Sequence, residues 1–378
     1  MSGNDPKSGP KRDPTQDSID EVGEETFPAS DAPPFSGAHA GGPGEHGLRL
    51  LIDLPPDSPD VGYFRRALVR FDGRVAVTFA ASELAPDGAD FARALPDADI
   101  VVAAALSDDE LARARRVRWL SSVAAGLDEI VTPALLARGV AITSASGVHG
   151  PNIAEHVLAM ILMFTRGMPR LLRAQLARRW ERDLKSRSDG PGELTGKTLL
   201  IIGLGRIGEA IATRARPFGV RIIAVKHDTS SRHDARVAVD ELLPMDALDE
   251  ALGRADHVCV AVPLTRDTRH LMNARRLARL RAGAFIYNVS RGAVIDEAAL
   301  VEALRAGKLA GAGLDVFEEE PLPVTSPLWD LENVIVTPHV SGATPLYYQR
   351  TAAIFADNLE RFLSGRPLAN RFDPARGY

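Results

Sequence analysis

The chain is 378 residues long, 45% hydrophobic and 25% charged, with a formal net charge of -5. That length suits two ordinary domains and that composition a soluble globular protein, while the absence of a basic excess argues against nucleic acid as a main partner. A lone cysteine, Cys259, cannot form an internal disulfide, and the apolar run around it reads as a buried strand with a structural thiol.

Residues 1–47 are rich in Pro and Gly and carry Asp5, Asp13, Asp17, Asp20, Glu21, Glu24, Glu25 and Asp31, with only Ile19, Val22, Phe27 and Phe35 as large apolar groups. Such a segment buries too little surface to offset its ordering entropy and is expected to be a disordered acidic tail. The first ten residues lack the apolar core of a signal peptide, and no run of about 18 apolar residues follows anywhere, so the chain reads as cytoplasmic with no membrane partner.

Patterned sequence begins at 48–54 and continues with short β-type runs at 75–79, 99–103, 117–121 and 140–143, separated by helical stretches rich in Ala, Leu and Arg. A long amphipathic helix is expected over about 153–180. Beyond it, strands are read at 198–202, 221–225, 257–262, 284–289, 311–316 and 334–337, and a closing amphipathic helix at 351–363. Strands alternating with helices predict βαβ units and parallel sheets, hence an α/β fold.

The run Leu199-Leu200-Ile201-Ile202 leads directly into Gly203-Leu204-Gly205-Arg206-Ile207-Gly208 and then a helical stretch, 209–218. In such a strand-turn-helix unit the first glycine permits the tight turn, the second lets the main chain approach a pyrophosphate, and the third lets helix pack on strand. The helix N-terminus then offers free N–H groups to the phosphates. These residues therefore predict a dinucleotide site. An acidic residue usually follows about 20 positions later to bind the adenosine ribose, but here Lys226 occupies that place. An ammonium there favours a 2′-phosphate, so NADP is slightly favoured over NAD; the other reading makes Lys226 a solvated strand end and Asp228 the ribose ligand.

Three later segments carry a specific resemblance. The stretch Asn288-Val289-Ser290-Arg291-Gly292 through Glu297, the stretch Leu314-Asp315-Val316-Phe317-Glu318-Glu319-Glu320-Pro321, and Val336-Thr337-Pro338-His339 resemble, in order, the signatures of the D-isomer-specific 2-hydroxyacid dehydrogenases. Ala125-Gly126-Leu127-Asp128 and the run Gly147 through Glu155 extend the similarity from about residue 48 to the end.

The resemblance implies two doubly wound parallel-sheet domains. One is a Rossmann coenzyme domain at 148–341; the other is a flavodoxin-like substrate domain assembled from 48–147 and 342–378, with Val340, Ser341 and Gly342 at the hinge. It implies that Arg291 anchors a 2-keto or D-2-hydroxy acid, that His339 exchanges the proton, and that Glu320 holds His339. It also implies that N–H groups near Ala125 and Gly126 complete a carboxylate cradle, that Asp315 holds the nicotinamide carboxamide, and that Val289, Ser290, Pro263, Thr268 and Gly342 lie about the cofactor. A homodimer and the absence of a metal are further implications.

The residue types suit this chemistry. Reduction of a ketone needs a proton donor, which a histidine supplies near neutral pH when a carboxylate stabilises its imidazolium, while a guanidinium is always charged and grips a carboxylate at two points. Two other functions share the pattern: a dinucleotide-sensing, corepressor-like binding protein, and a phosphite dehydrogenase. His149 and His156 are weaker candidates, His156 being read as structural.

Overall fold

The computed structural model describes residues 47–82, 89–127, 130–183, 190–229 and 239–374. The acidic tail lies outside them, as do Asp128, Ser230, Ser231, Arg232 and Asp234.

The first apolar runs form β1 (Leu48–Asp53), β2 (Val75–Ala80), β3 (Ile100–Ala103), β4 (Trp119–Ser122) and β5 (Ala141–Thr143). They pair in parallel in the order β2-β1-β3-β4-β5. The second set comprises β6 (Thr198–Ile202), β7 (Arg221–Lys226), β8 (Glu241–Pro244), β9 (His257–Val260), β10 (Ala284–Asn288), β11 (Leu309–Leu314) and β12 (Val334–Val336). Their order is β12-β11-β10-β9-β6-β7-β8, again all parallel. Strands such as β3 and β9 are buried at every residue, as sheets covered by helices on both faces require. The fold class is thus two parallel-sheet α/β domains.

Each order reverses direction once, between β1 and β3 and between β6 and β9, and a crevice opens outside the C-terminal ends of strands at such a point. The helix Gly150–Thr165 packs Ile153, Val157 and Ile161 on Leu199 and Ile201 of β6. The closing helix Tyr347–Leu363 packs on the five-stranded sheet: Trp119 stacks on Phe355 and Phe362 at 5.2 and 5.4 Å, and its indole N–H donates to Thr143 Oγ1 at 2.9 Å.

Apart from shifts of a few residues at element ends, the structure departs from the sequence reading in three places. The expected helix over 153–180 is two helices, Gly150–Thr165 and Met168–Leu176, because Gly167 between them adopts φ 66°, a left-handed conformation that stops a helix. Strand β8 was not expected, being four residues ending in proline; it is the sheet's edge, where Pro244 removes no required ladder donor. The closing helix starts at Tyr347 rather than 351, and Tyr347 in its first turn donates to Val123 O, a contact that no local pattern contains. Among the described residues no helix is long and apolar enough to cross a membrane.

Candidate active site

The predicted residues of the second sheet all sit at or beyond the C-terminal ends of its strands. Gly203 to Gly208 follow β6, Lys226 ends β7, Pro263 and Thr268 follow β9, Val289 to Arg291 follow β10, Asp315 and Glu320 follow β11, and His339 and Gly342 follow β12. Ala125 and Gly126 follow β4, at the C-terminal end of the other sheet.

The three turn glycines meet three different constraints. Gly203 adopts φ +101°, and a Cβ on it would stand 2.7 Å from the Ala261 carbonyl oxygen. A Cβ on Gly208 would stand 2.1 Å from the Gly203 carbonyl oxygen, so helix and strand approach as closely as backbone allows. A Cβ on Gly205, by contrast, would meet nothing within 4 Å. Gly205 is therefore not needed for internal packing; its bareness keeps space open beside the start of the helix Arg206–Ala215, whose N-terminus no side chain caps. The turn fits a dinucleotide pyrophosphate, with Arg206, Ile207 and Gly208 contributing the helix's first turn.

Thr268 closes the neighbouring loop: its hydroxyl donates to Pro263 O at 2.6 Å and accepts from Thr265 N at 2.7 Å. Lys226 stands opposite Pro244 in the β7–β8 register.

His339 and Glu320 are brought into contact. His339 Nδ1 lies 2.7 Å from Glu320 Oε2, and Glu320 Oε1 accepts from Phe317 N at 3.0 Å, which aims the carboxylate. His339 itself has φ 53° and donates its backbone N–H to Asp315 O at 2.8 Å. Its side chain is 48% exposed.

Asp315 is fully buried and organises this loop: Oδ1 accepts from the Thr337 hydroxyl at 2.6 Å and Val340 N at 3.0 Å, and Oδ2 from Ser341 N at 2.9 Å. His156 Nε2 reaches Thr337 Oγ1 at 3.0 Å, joining the helix Gly150–Thr165 to the same network. All three bonds to the Asp315 carboxylate come from the loop after β12.

The loop of Arg291 is held by a residue to which the sequence reading gave no role. Asn288 Oδ1 accepts from Ser290 N and Oγ at 3.1 and 2.8 Å, and its amide donates to Arg291 O at 2.9 Å. Arg291 donates a guanidinium N–H to Ser290 O at 2.9 Å. Gly292 is equally structural, since a Cβ there would stand 1.8 Å from the Phe317 carbonyl carbon. The Arg291 and Glu320 loops are therefore packed backbone against backbone. A sharper signal for Gly292 was present in its place directly after Arg291, but its partner Phe317 is visible only in three dimensions.

Residues 158–341 match the model of the D-isomer specific 2-hydroxyacid dehydrogenase NAD binding domain. The chain is 38% identical over 266 residues to glyoxylate/hydroxypyruvate reductase B of Pectobacterium carotovorum, covering 70% of this chain and 82% of that one. It is 37% identical over 252 residues to the glyoxylate reductase of Thermofilum pendens, covering 67% and 74%.

The chain belongs to the D-isomer-specific 2-hydroxyacid dehydrogenase family. Among solved structures it is similar to the D-isomer specific 2-hydroxyacid dehydrogenase of Xanthobacter autotrophicus in complex with NADPH and MES, with TM-score 0.70 and 30% identity over 88% of this chain and 100% of that one. This dehydrogenase is accordingly an NAD(P)-dependent oxidoreductase of 2-keto and 2-hydroxy acids.

Proposed function

We propose that the enzyme reduces a small 2-keto acid to its D-2-hydroxy acid, with His339 as proton donor, Glu320 as its anionic partner and Arg291 as substrate anchor. The observation that carries this reading is the 2.7 Å contact between His339 and Glu320 beside the Arg291 loop. A nicotinamide cofactor held beside the Arg291 loop would supply a hydride to the carbonyl carbon. Arg291 grips the substrate carboxylate and polarises the carbonyl, Ala125 and Gly126 add backbone N–H donors, and His339 Nε2 delivers the proton to the developing alkoxide while Glu320 balances the imidazolium. Hydride plus proton complete the two-electron reduction.

Gly203, Gly205, Arg206, Ile207 and Gly208 would hold the pyrophosphate, and Pro263, Thr268, Val289, Ser290, Asp315 and Gly342 would surround the nicotinamide half. Lys226 would receive a 2′-phosphate, which makes NADPH the favoured donor; the NADPH bound to the Xanthobacter relative accords with this. The domain boundaries 148–341 and 48–147 with 342–378 belong to the same reading, so that closure about the hinge assembles the site.

A cytoplasmic homodimer completes the proposal. Leu172 and Leu176, one turn apart on the helix Met168–Leu176, are 42% and 85% exposed, and Trp180 beyond the helix end is 87% exposed, apolar groups suited to a second copy. Sedimentation equilibrium showing a monomer at micromolar concentration would remove this part.

The deciding experiment is a panel of keto acids, beginning with glyoxylate and hydroxypyruvate, each assayed with NADPH and NADH. Turnover is expected with at least one acid. Cofactor binding without any turnover would favour a sensing protein instead, and turnover of phosphite alone a different donor substrate.

A further inference from the structure

The substrate cradle of the proposed reaction lies on a sheet that contributes no acid-base group, and what holds that cradle is unexpected. The two residues before Ala125 and Gly126 have all four backbone polar groups engaged. Val123 N donates to Ala103 O at 3.0 Å, Ala124 N donates to Ser122 Oγ at 3.1 Å, and Ala124 O accepts from Ala145 N at 2.8 Å. These three bonds come from neighbouring parts of the same sheet. The fourth does not: Val123 O accepts from the phenol of Tyr347, in the first turn of the closing helix.

The ring of Tyr347 also stacks on His149, with centroids 5.3 Å apart and planes at 25°. His149 in turn abuts the chain leaving the catalytic histidine, for a Cβ on Gly342 would lie 3.4 Å from its Nδ1. Around this stack, Arg350 donates to Val148 O at 2.8 Å and Asn152 Oδ1 at 3.2 Å, and the Asn152 amide donates to Ser341 O at 2.8 Å. The crossing between the sheets is therefore a built junction, and Tyr347 is the member that reaches from it to the cradle.

From this geometry we infer that Tyr347 is a positioning residue for the keto-acid carboxylate: its hydroxyl fixes the shoulder of the Ala125–Gly126 loop, and its ring ties that loop to the junction after His339. The inference rests on the proposed 2-keto acid reading. Burial, with a smaller effect of Tyr348, pushes the Tyr347 phenol up to about 12, so it remains a donor at working pH. The role is distinct from that of His339, because Tyr347 acts on where the substrate carboxylate is held and not on the proton.

The test compares the holoenzyme with Tyr347→Phe, which keeps the ring stack and loses the donor, and Tyr347→Leu, which loses both. Kinetics with glyoxylate are paired with calorimetric binding of oxamate, a non-reacting keto-acid analogue, in the presence of NADPH. Tyr347→Phe should raise the KM for glyoxylate and the Kd for oxamate by about 3-fold to 10-fold, the usual worth of one hydrogen bond, with kcat and the Kd for NADPH within about 2-fold of wild type. Tyr347→Leu should lower kcat as well. A residue of merely structural importance would lower thermal stability without moving the KM. Oxamate binding equal in wild type and Tyr347→Phe overturns the inference alone, whereas a wild-type enzyme that neither reduces a keto acid nor binds oxamate overturns the reading of the site and this inference with it.

Discussion

Beyond β10 and β11 of the seven-stranded sheet, the loops are held by neighbours: Asn288 binds Ser290 two residues on, and Glu320 accepts from Phe317 three residues back. Beyond β4 of the five-stranded sheet, the loop carrying Ala125 and Gly126 is secured by Tyr347, 224 residues downstream. The loops of the proposed proton donor are thus joined by contacts within one sheet, His339 to Glu320 and Asp315 to Thr337, Val340 and Ser341, while the proposed substrate cradle depends on how the chain returns after its second sheet.

The largest effect expected on the short-range side is that of His339→Ala, which should cut turnover by about 100-fold or more while leaving NADPH affinity near wild type. Turnover reduced less than about 10-fold would place the proton donor elsewhere.

Gly292 and Gly205 sharpen the contrast within one sheet. Gly292→Ala forces a Cβ into the Phe317 backbone and should destabilise the protein by about 3 kcal/mol or more, separating the Arg291 and Glu320 loops. Gly205→Ala projects into open space and should leave thermal stability unchanged while weakening NADPH binding by about 10-fold. Equal melting temperatures for the two variants would show that the loops are not locked as described.

His257 probes the opposite end of the same sheet. It begins β9, hydrogen-bonds the buried Tyr287 hydroxyl at 3.0 Å, and burial lowers its pKa from 6.5 to about 4. Between those values the unfolded chain takes up a proton that the folded one refuses, so the stability from neutral His257 is complete above 6.5 and is lost as pH falls toward about 4. The loss should amount to about 3 kcal/mol, and denaturant titrations of His257→Gln should show a flatter profile over that window. A wild-type profile as flat as the variant's would mean that His257 is solvated. Since the histidine is far along the strand from the site, kcat should be unaffected in the variant.

Lys226→Asp replaces a partly screened contact to a 2′-phosphate, expected to favour NADPH by about 5-fold to 30-fold, with a repulsive one and should reverse the NADPH to NADH preference, measured as kcat/KM at low salt. A native preference for NADH would instead make Asp228 the ribose ligand to examine.

By itself the sequence determined the strand positions, the glycine turn and the ordered segments of Arg291, Glu320 and His339, because each is specified by residues within a few positions: apolar runs for buried strands, Gly203 and Gly208 for backbone that no Cβ could enter. It did not disclose the break at Gly167, since a glycine inside an apolar period reads as a tolerated defect until its φ is seen, nor edge strand β8, too short to carry a pattern. Only the tertiary structure decided the roles of Asn288, Thr337 and Tyr347. Asp315 shows why: its carboxylate is buried where the ends of β11 and β12 meet, and it must be satisfied by donors from Thr337, Val340 and Ser341. Which donors converge there, or on Val123 O, depends on the order in which strands pair. That order is set by the burial of whole faces, and no local run of residues contains it.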